Sequence, residues 1–132
     1  MGAVALDTSV VIGLLEPGDP HHASTRAEVA AARRRGDTFV LPASVLSEAL
    51  VGGYRLGTAP DRRRRIVTLF GPVRPIDEGL ALVAAELRGR HRSLRLADAF
   101  VIATGIVEQA AVLTCDRRLA AVDGRVQVIP PD

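Results

Sequence analysis

Five apolar runs of strand length, at residues 3–6, 38–41, 73–76, 111–114 and 126–129, alternate along this chain with segments of helical period. Such alternation restricts the chain to an α/β fold, in which parallel strands are joined by helices that cover both sheet faces. The periodicity predicts a short helix over 9–15, helices over 21–35, 43–56, 61–70, 78–91 and 97–109, and a turn of helix at 117–121. Gly36-Asp37 and Gly71-Pro72 close helices and open strands, while Pro17, Gly18, Asp19 and Pro20 make a loop before the second helix. With 132 residues, 48% of them hydrophobic, and no internal repeat or linker, the chain is expected to form one domain spanning 1–132.

Open parallel sheets bind ligands beyond the carboxyl ends of their strands, near the point where strand order reverses. Four acids fall at positions that this edge could gather: Asp7 in VALDTSVVIGLL, Glu48 in LPASVLSEAL, Asp98 in LRLADAFVIATG and Asp116 in VLTCDRRL. Asp7 follows the first strand and Asp116 the fourth, so both project from the same edge. Glu48 lies one to two turns into the helix after strand two, on the flank of a stripe made by Val45, Leu46, Ala49 and Leu50. Asp98 begins a helix whose next residues, Ala99 to Ala103, are apolar all round, which directs its side chain inward.

Each acid also has a plainer explanation. Asp7, Asp98 and Asp116 can cap helices for about 1 kcal/mol each, and Glu48 can be a solvated helix residue. As a cluster, however, four carboxylates repel one another unless they share a cation, and oxygen-only ligands select Mg²⁺ or Mn²⁺ over zinc.

Composition removes several alternatives. No apolar run approaches the roughly 20 residues of a membrane span, so a cytoplasmic protein is expected. The single cysteine, Cys115, excludes an internal disulfide framework and a thiolate metal site. It is expected to be a small buried side chain, since no histidine is placed to activate it. All 17 basic residues are arginine. Receiver domains and haloacid-dehalogenase-type phosphatases also place an aspartate after their first strand, but they use a lysine to neutralise the phosphoryl group, and this chain has none.

The Asp7-Thr8-Ser9 start, the isolated Glu48, the Leu96-Ala97-Asp98-Ala99 helix start and the Thr114-Cys115-Asp116 strand end resemble the PIN-domain ribonucleases. More narrowly, the chain resembles the toxin half of VapBC-type toxin-antitoxin modules, from Ala3 to the closing 126–129 strand. The resemblance implies a three-layer α/β/α sandwich around a central, mostly parallel five-stranded sheet. It implies that Asp7, Glu48, Asp98 and Asp116 bind one or two Mg²⁺ or Mn²⁺ ions and serve as the catalytic residues. Ser9 and Thr114 match the family's hydroxyl positions beside that pocket, where they would orient ligands or water. It further implies a homodimer and a small cognate antitoxin.

The chemistry expected of such a site is in-line hydrolysis of an RNA phosphodiester by a metal-activated water, leaving a 5′-phosphate. No histidine is required, and His21, His22 and His91 are expected at the surface. Arg95, Arg117 and Arg118 each neighbour a proposed ligand and are the expected phosphate contacts. The runs Arg33 to Arg35 and Arg62 to Arg65 read as solvated faces. Aromatic content of 3% makes base stacking on aromatic rings a poor source of specificity, which favours structured RNA read by shape and backbone. Two other functions fit the same fold: a non-catalytic binding or assembly module whose acids are caps, and a DNA structure-specific nuclease.

Overall fold

The computed structural model describes residues 2–132; Met1, the first residue of the expected domain, lies outside them. The strands are β1 (Ala3–Leu6), β2 (Thr38–Pro42), β3 (Val73–Arg74), β4 (Ala111–Thr114) and β5 (Val126–Val128). The helices are α1 (Thr8–Leu15), α2 (His22–Arg34), α3 (Ala43–Leu56), α4 (Ala59–Phe70), α5 (Glu78–Arg90) and α6 (Leu96–Val107), with a 3₁₀ turn at Arg117–Ala121. The sheet runs β3-β2-β1-β4-β5 and every pairing is parallel, so the mostly parallel sheet expected from the sequence is wholly so.

The chain leaves β1 in one direction to build β2 and β3, and later returns to place β4 on its other side. The order therefore reverses between β1 and β4, where Ala5 pairs with Val112 and Leu6 with Leu113. Val4, Ala5 and Leu6 are all buried although consecutive strand residues face opposite ways, which shows that both sheet faces are covered. One core cluster joins β1 and β4 to α1, α3 and α4, while a second lies between α5, α6 and the 3₁₀ turn. Helix α6 supplies both, through Val101 to the first and Ala99, Ile102 and Ala103 to the second.

Several boundaries differ from the sequence expectation by one or two residues, and two of them have a clear local cause. Strand β3 stops at Arg74 rather than at residue 76 because Pro75 has no N–H to give to a ladder, a restriction that suits a short edge strand. Helix α4 starts at Ala59 rather than at 61 because Pro60 sits in its first turn, where the missing N–H has no intrahelical partner to lose.

One close approach fixes the position of α6. A Cβ on Gly105 would run into Val112 Cγ2 of β4 and come within 3.1 Å of the Ala110 carbonyl oxygen. The absence of a side chain lets the helix lie directly on the strand that leads to Thr114 and Asp116.

Candidate active site

The switch point puts Asp7 at the centre of a hydrogen-bonded set. Its Oδ1 accepts from the Thr8 N–H at 2.9 Å, and its Oδ2 accepts from Ser9 Oγ at 2.8 Å and from Thr114 Oγ1 at 2.7 Å. Each hydroxyl also accepts a backbone N–H from the chain leaving β4: Cys115 N–H donates to Ser9 Oγ and Asp116 N–H to Thr114 Oγ1, both at 3.0 Å. The two strand ends are thereby tied through hydroxyls that donate to one carboxylate. Asp7 is only 6% exposed, and burial raises its pKa above the usual carboxylate value. The hydroxyl and amide donors oppose that rise, whereas the nearby charge of Asp98 adds to it.

Asp98 is the third residue of α6 and is 7% exposed. It does not cap that helix: Arg95 holds the capping position, with no side-chain cap bond, and its Nε donates to Asp98 Oδ2 at 3.2 Å. Asp116 does cap, accepting the Arg118 N–H at 3.0 Å in the 3₁₀ turn. The same carboxylate takes a two-pronged ion pair from Arg118, Nε to Oδ1 at 3.0 Å and Nη2 to Oδ2 at 2.8 Å. That hydrogen-bonded guanidinium holds the Asp116 carboxyl below the ordinary range. Glu48 is exposed, and its Oε1 accepts from Thr8 Oγ1 at 2.7 Å, which joins it to the residue that follows Asp7.

Thus the fold buries Asp7 and Asp98 near one another and sets Glu48 and Asp116 at their rim. Arg95 feels the charges of Asp98, Glu48 and Arg118, so all three lie within its electrostatic reach. A cavity of about 290 Å³ opens beside the acids, and Arg95, Asp98, Asp116 and Arg118 line it. Arg117 is exposed and does not line that cavity.

The same cavity contains residues that sequence reasoning did not associate with the site: His91, Ser93, Leu94, Leu119, Ala121 and Val122. They come from the α5–α6 connection and the 3₁₀ turn, whose meeting depends on tertiary packing and leaves no local motif. His91 is accordingly half-buried at the cavity wall rather than free on the surface. His21 and His22 are also half-buried, and His22 Nδ1 lies 2.8 Å from the Gly13 carbonyl oxygen. Burial pushes the Cys115 thiol up to about 11, so at neutral pH it is not a thiolate nucleophile.

The donor set around Asp7 and Asp98 consists of carboxylates and hydroxyls, which suits a hard divalent cation such as Mg²⁺ or Mn²⁺. Burial and the neighbouring Asp98 raise the proton affinity of Asp7, and a cation beside that carboxylate would relieve both causes. Among the described residues, no three His, Cys, Asp or Glu side chains already stand at spacing that would hold an ion. Asp7 and Asp98 are the pair fixed by burial, and Glu48 and Asp116 are the more exposed carboxylates next to them.

A family model for the PIN domain matches residues 4–125. No curated protein is matched at the level of sequence. Among solved structures, the fold is similar to a toxin-antitoxin complex from Klebsiella pneumoniae, with a TM-score of 0.78 and 20% identity over 95% of this chain and 96% of that one. It is similar to VapBC2 from Rickettsia felis bound to a DNA fragment from their promoter, with a TM-score of 0.76 and 12% identity over 98% and 99% of the two chains. It is also similar to Mycobacterium tuberculosis VapC20, described as a Sarcin-Ricin loop cleaving toxin, with a TM-score of 0.74 and 21% identity over 96% and 99%. At these identities the likeness is one of fold.

Proposed function

The chain belongs to the PIN-domain family, and on that premise we propose that it is a metal-dependent endoribonuclease, the toxin of a toxin-antitoxin pair. The observation that carries this proposal is the burial of Asp7 and Asp98 together at the β1/β4 switch point, with Ser9 and Thr114 holding Asp7. A non-catalytic module would need all its acids as caps or surface charges. Asp98 is neither, since it is buried and caps nothing.

In this proposal Asp7 and Asp98 hold Mg²⁺ or Mn²⁺, and Glu48 and Asp116 complete the acidic site. When bound, the ion supplies an activated water and neutralises charge on the departing oxygen. Ser9 and Thr114 keep Asp7 in one orientation and favour its ionised form. Arg95 and Arg118, planar and permanently charged at the cavity mouth, hold substrate phosphates, with Arg117 as a further contact. In the structure each of these two guanidiniums is paired with a site carboxylate, Arg95 with Asp98 and Arg118 with Asp116.

The structural neighbours support the partners. One neighbour is a toxin-antitoxin complex, one is a VapBC2 complex, and one cleaves the Sarcin-Ricin loop. For this chain we accordingly propose a structured RNA substrate and a cognate antitoxin that suppresses cleavage; a homodimeric state and a cytoplasmic location are proposed with them from the family resemblance. No helix of the described residues is long and apolar enough to cross a membrane. The test is to incubate the purified, antitoxin-free protein with total cellular RNA in Mn²⁺ or in EDTA, mapping the new 5′ ends. Discrete 5′-phosphate ends that appear only with the metal support the proposal; identical RNA under both conditions rejects it.

A further inference from the structure

The acids account for only part of the lining of the 290 Å³ cavity. The rest is contributed by Leu94 and Leu119, which are buried, by the apolar Ala121 and Val122, and by His91 and Ser93, which add polar groups. We propose that this cavity is a subsite for one nucleobase of the RNA, turned out of its strand beside the phosphate that is cut. The inference rests on the ribonuclease reading and adds to it a source of sequence preference.

Size comes first. Clefts that take small ligands begin at roughly 300 Å³, so a space of about 290 Å³ has room for one planar base. The lining chemistry agrees with that occupant. A base needs apolar surface against its faces and a few hydrogen-bonding groups at its edge. Leu94, Leu119 and Val122 offer the former; Ser93 Oγ and the two nitrogens of His91 offer the latter.

Charge fixes the strand that carries the base. Arg95 and Arg118 stand at the mouth with side chains 69% and 81% exposed, each tied to a site carboxylate. Their exposed guanidiniums can reach phosphates of the strand that carries the base, and their planes suit stacking on a base. Aromatic stacking has no part here, because no phenylalanine or tyrosine is among the residues that line the cavity. Asp98 and Asp116 line both the cavity and the acidic site, so the base in the cavity and the phosphate at the acids belong to the same or adjacent nucleotides.

The test uses an RNA oligonucleotide spanning a cleavage site mapped as above, with 2-aminopurine at each position in turn, bound to the full chain in EDTA. Emission is expected to rise at one position next to the scissile phosphate and not at its neighbours. Ala121→Leu, which fills the cavity from an exposed position, is expected to abolish that rise and weaken RNA binding about tenfold. Its affinity for Mn²⁺ should match wild type. Ser93→Ala, at an exposed position and safe for folding, should broaden the base composition at the mapped 5′ ends. Uniform emission at all positions, or RNA affinity and base composition unchanged in both variants, overturns the subsite while leaving the ribonuclease intact. Absence of any metal-dependent cleavage overturns both.

Discussion

Thr114 and Asp7, 107 positions apart in sequence, meet through a 2.7 Å hydrogen bond in which the threonine hydroxyl donates to the carboxylate. The bond is buried, and it exists because β1 and β4 are neighbours in the sheet. The same hydroxyl accepts the Asp116 N–H, so one side chain couples the acid after β1 to the turn after β4.

Thr114→Val keeps the shape and removes the hydroxyl. It leaves a buried carboxylate oxygen short of a donor and the Asp116 N–H short of an acceptor, a loss of about 1–3 kcal/mol. Thr114→Ser should retain most of that stability. Denaturant midpoints of the two variants give the comparison, and equal midpoints would show that the hydroxyl is unimportant.

The raised pKa of Asp7 makes a stability prediction with an unusual sign for an aspartate. Between the ordinary aspartate value of 3.8 and its raised folded value, the native state keeps a proton that the unfolded chain has lost, so stability falls as pH rises through that window. Asp7→Asn escapes this penalty. In metal-free buffer at neutral pH it is expected to melt at or above the wild-type temperature, and the difference should vanish below about pH 3.8. A variant that melts lower at neutral pH would assign Asp7 to structure rather than to a cation.

Gly105→Ala probes the contact that lays α6 on β4. Alanine normally favours a helix, yet here its Cβ meets Val112. The expected outcome is a loss of about 1–3 kcal/mol from overpacking, read from the denaturant midpoint, together with weaker Mn²⁺ binding as Asp98 moves relative to Asp7. A gain in stability would mean that α6 shifts freely.

Arg118→Gln separates substrate binding from folding. Its side chain is 81% exposed, so thermal stability should change little. RNA affinity should fall, and the slope of log affinity against log salt should flatten by about one phosphate contact. An unchanged slope would remove Arg118 from the RNA interface.

Most of the fold was legible because its signals are local. The strand runs alternate with helical segments, Ala43–Leu56 matches the expected 43–56 helix, and Asp98 turns inward ahead of an apolar helix as its neighbours require. The limits of β3 and α4 depart from the sequence expectation at Pro75 and Pro60, where proline's missing N–H acts in opposite ways at a strand edge and a helix start. The site was legible only as separate acids. That Asp7 and Asp116 are caps and also neighbours of Asp98 depends on strand order, and local sequence offers both explanations for each. His91, Ser93 and Leu119 carry no motif at all, because they become a cavity wall only when α5, α6 and the 3₁₀ turn pack together.

The most direct test of the account is a Mn²⁺ titration of wild type and Asp98→Asn, paired with RNA cleavage by the same preparations. The account predicts saturable Mn²⁺ binding that stabilises the wild type by about 2.7 kcal/mol at 100 times the dissociation constant. Asp98→Asn should remain folded, lose that stabilisation and lose cleavage together. An Asp98→Asn protein that binds Mn²⁺ and cuts RNA as the wild type does would contradict it.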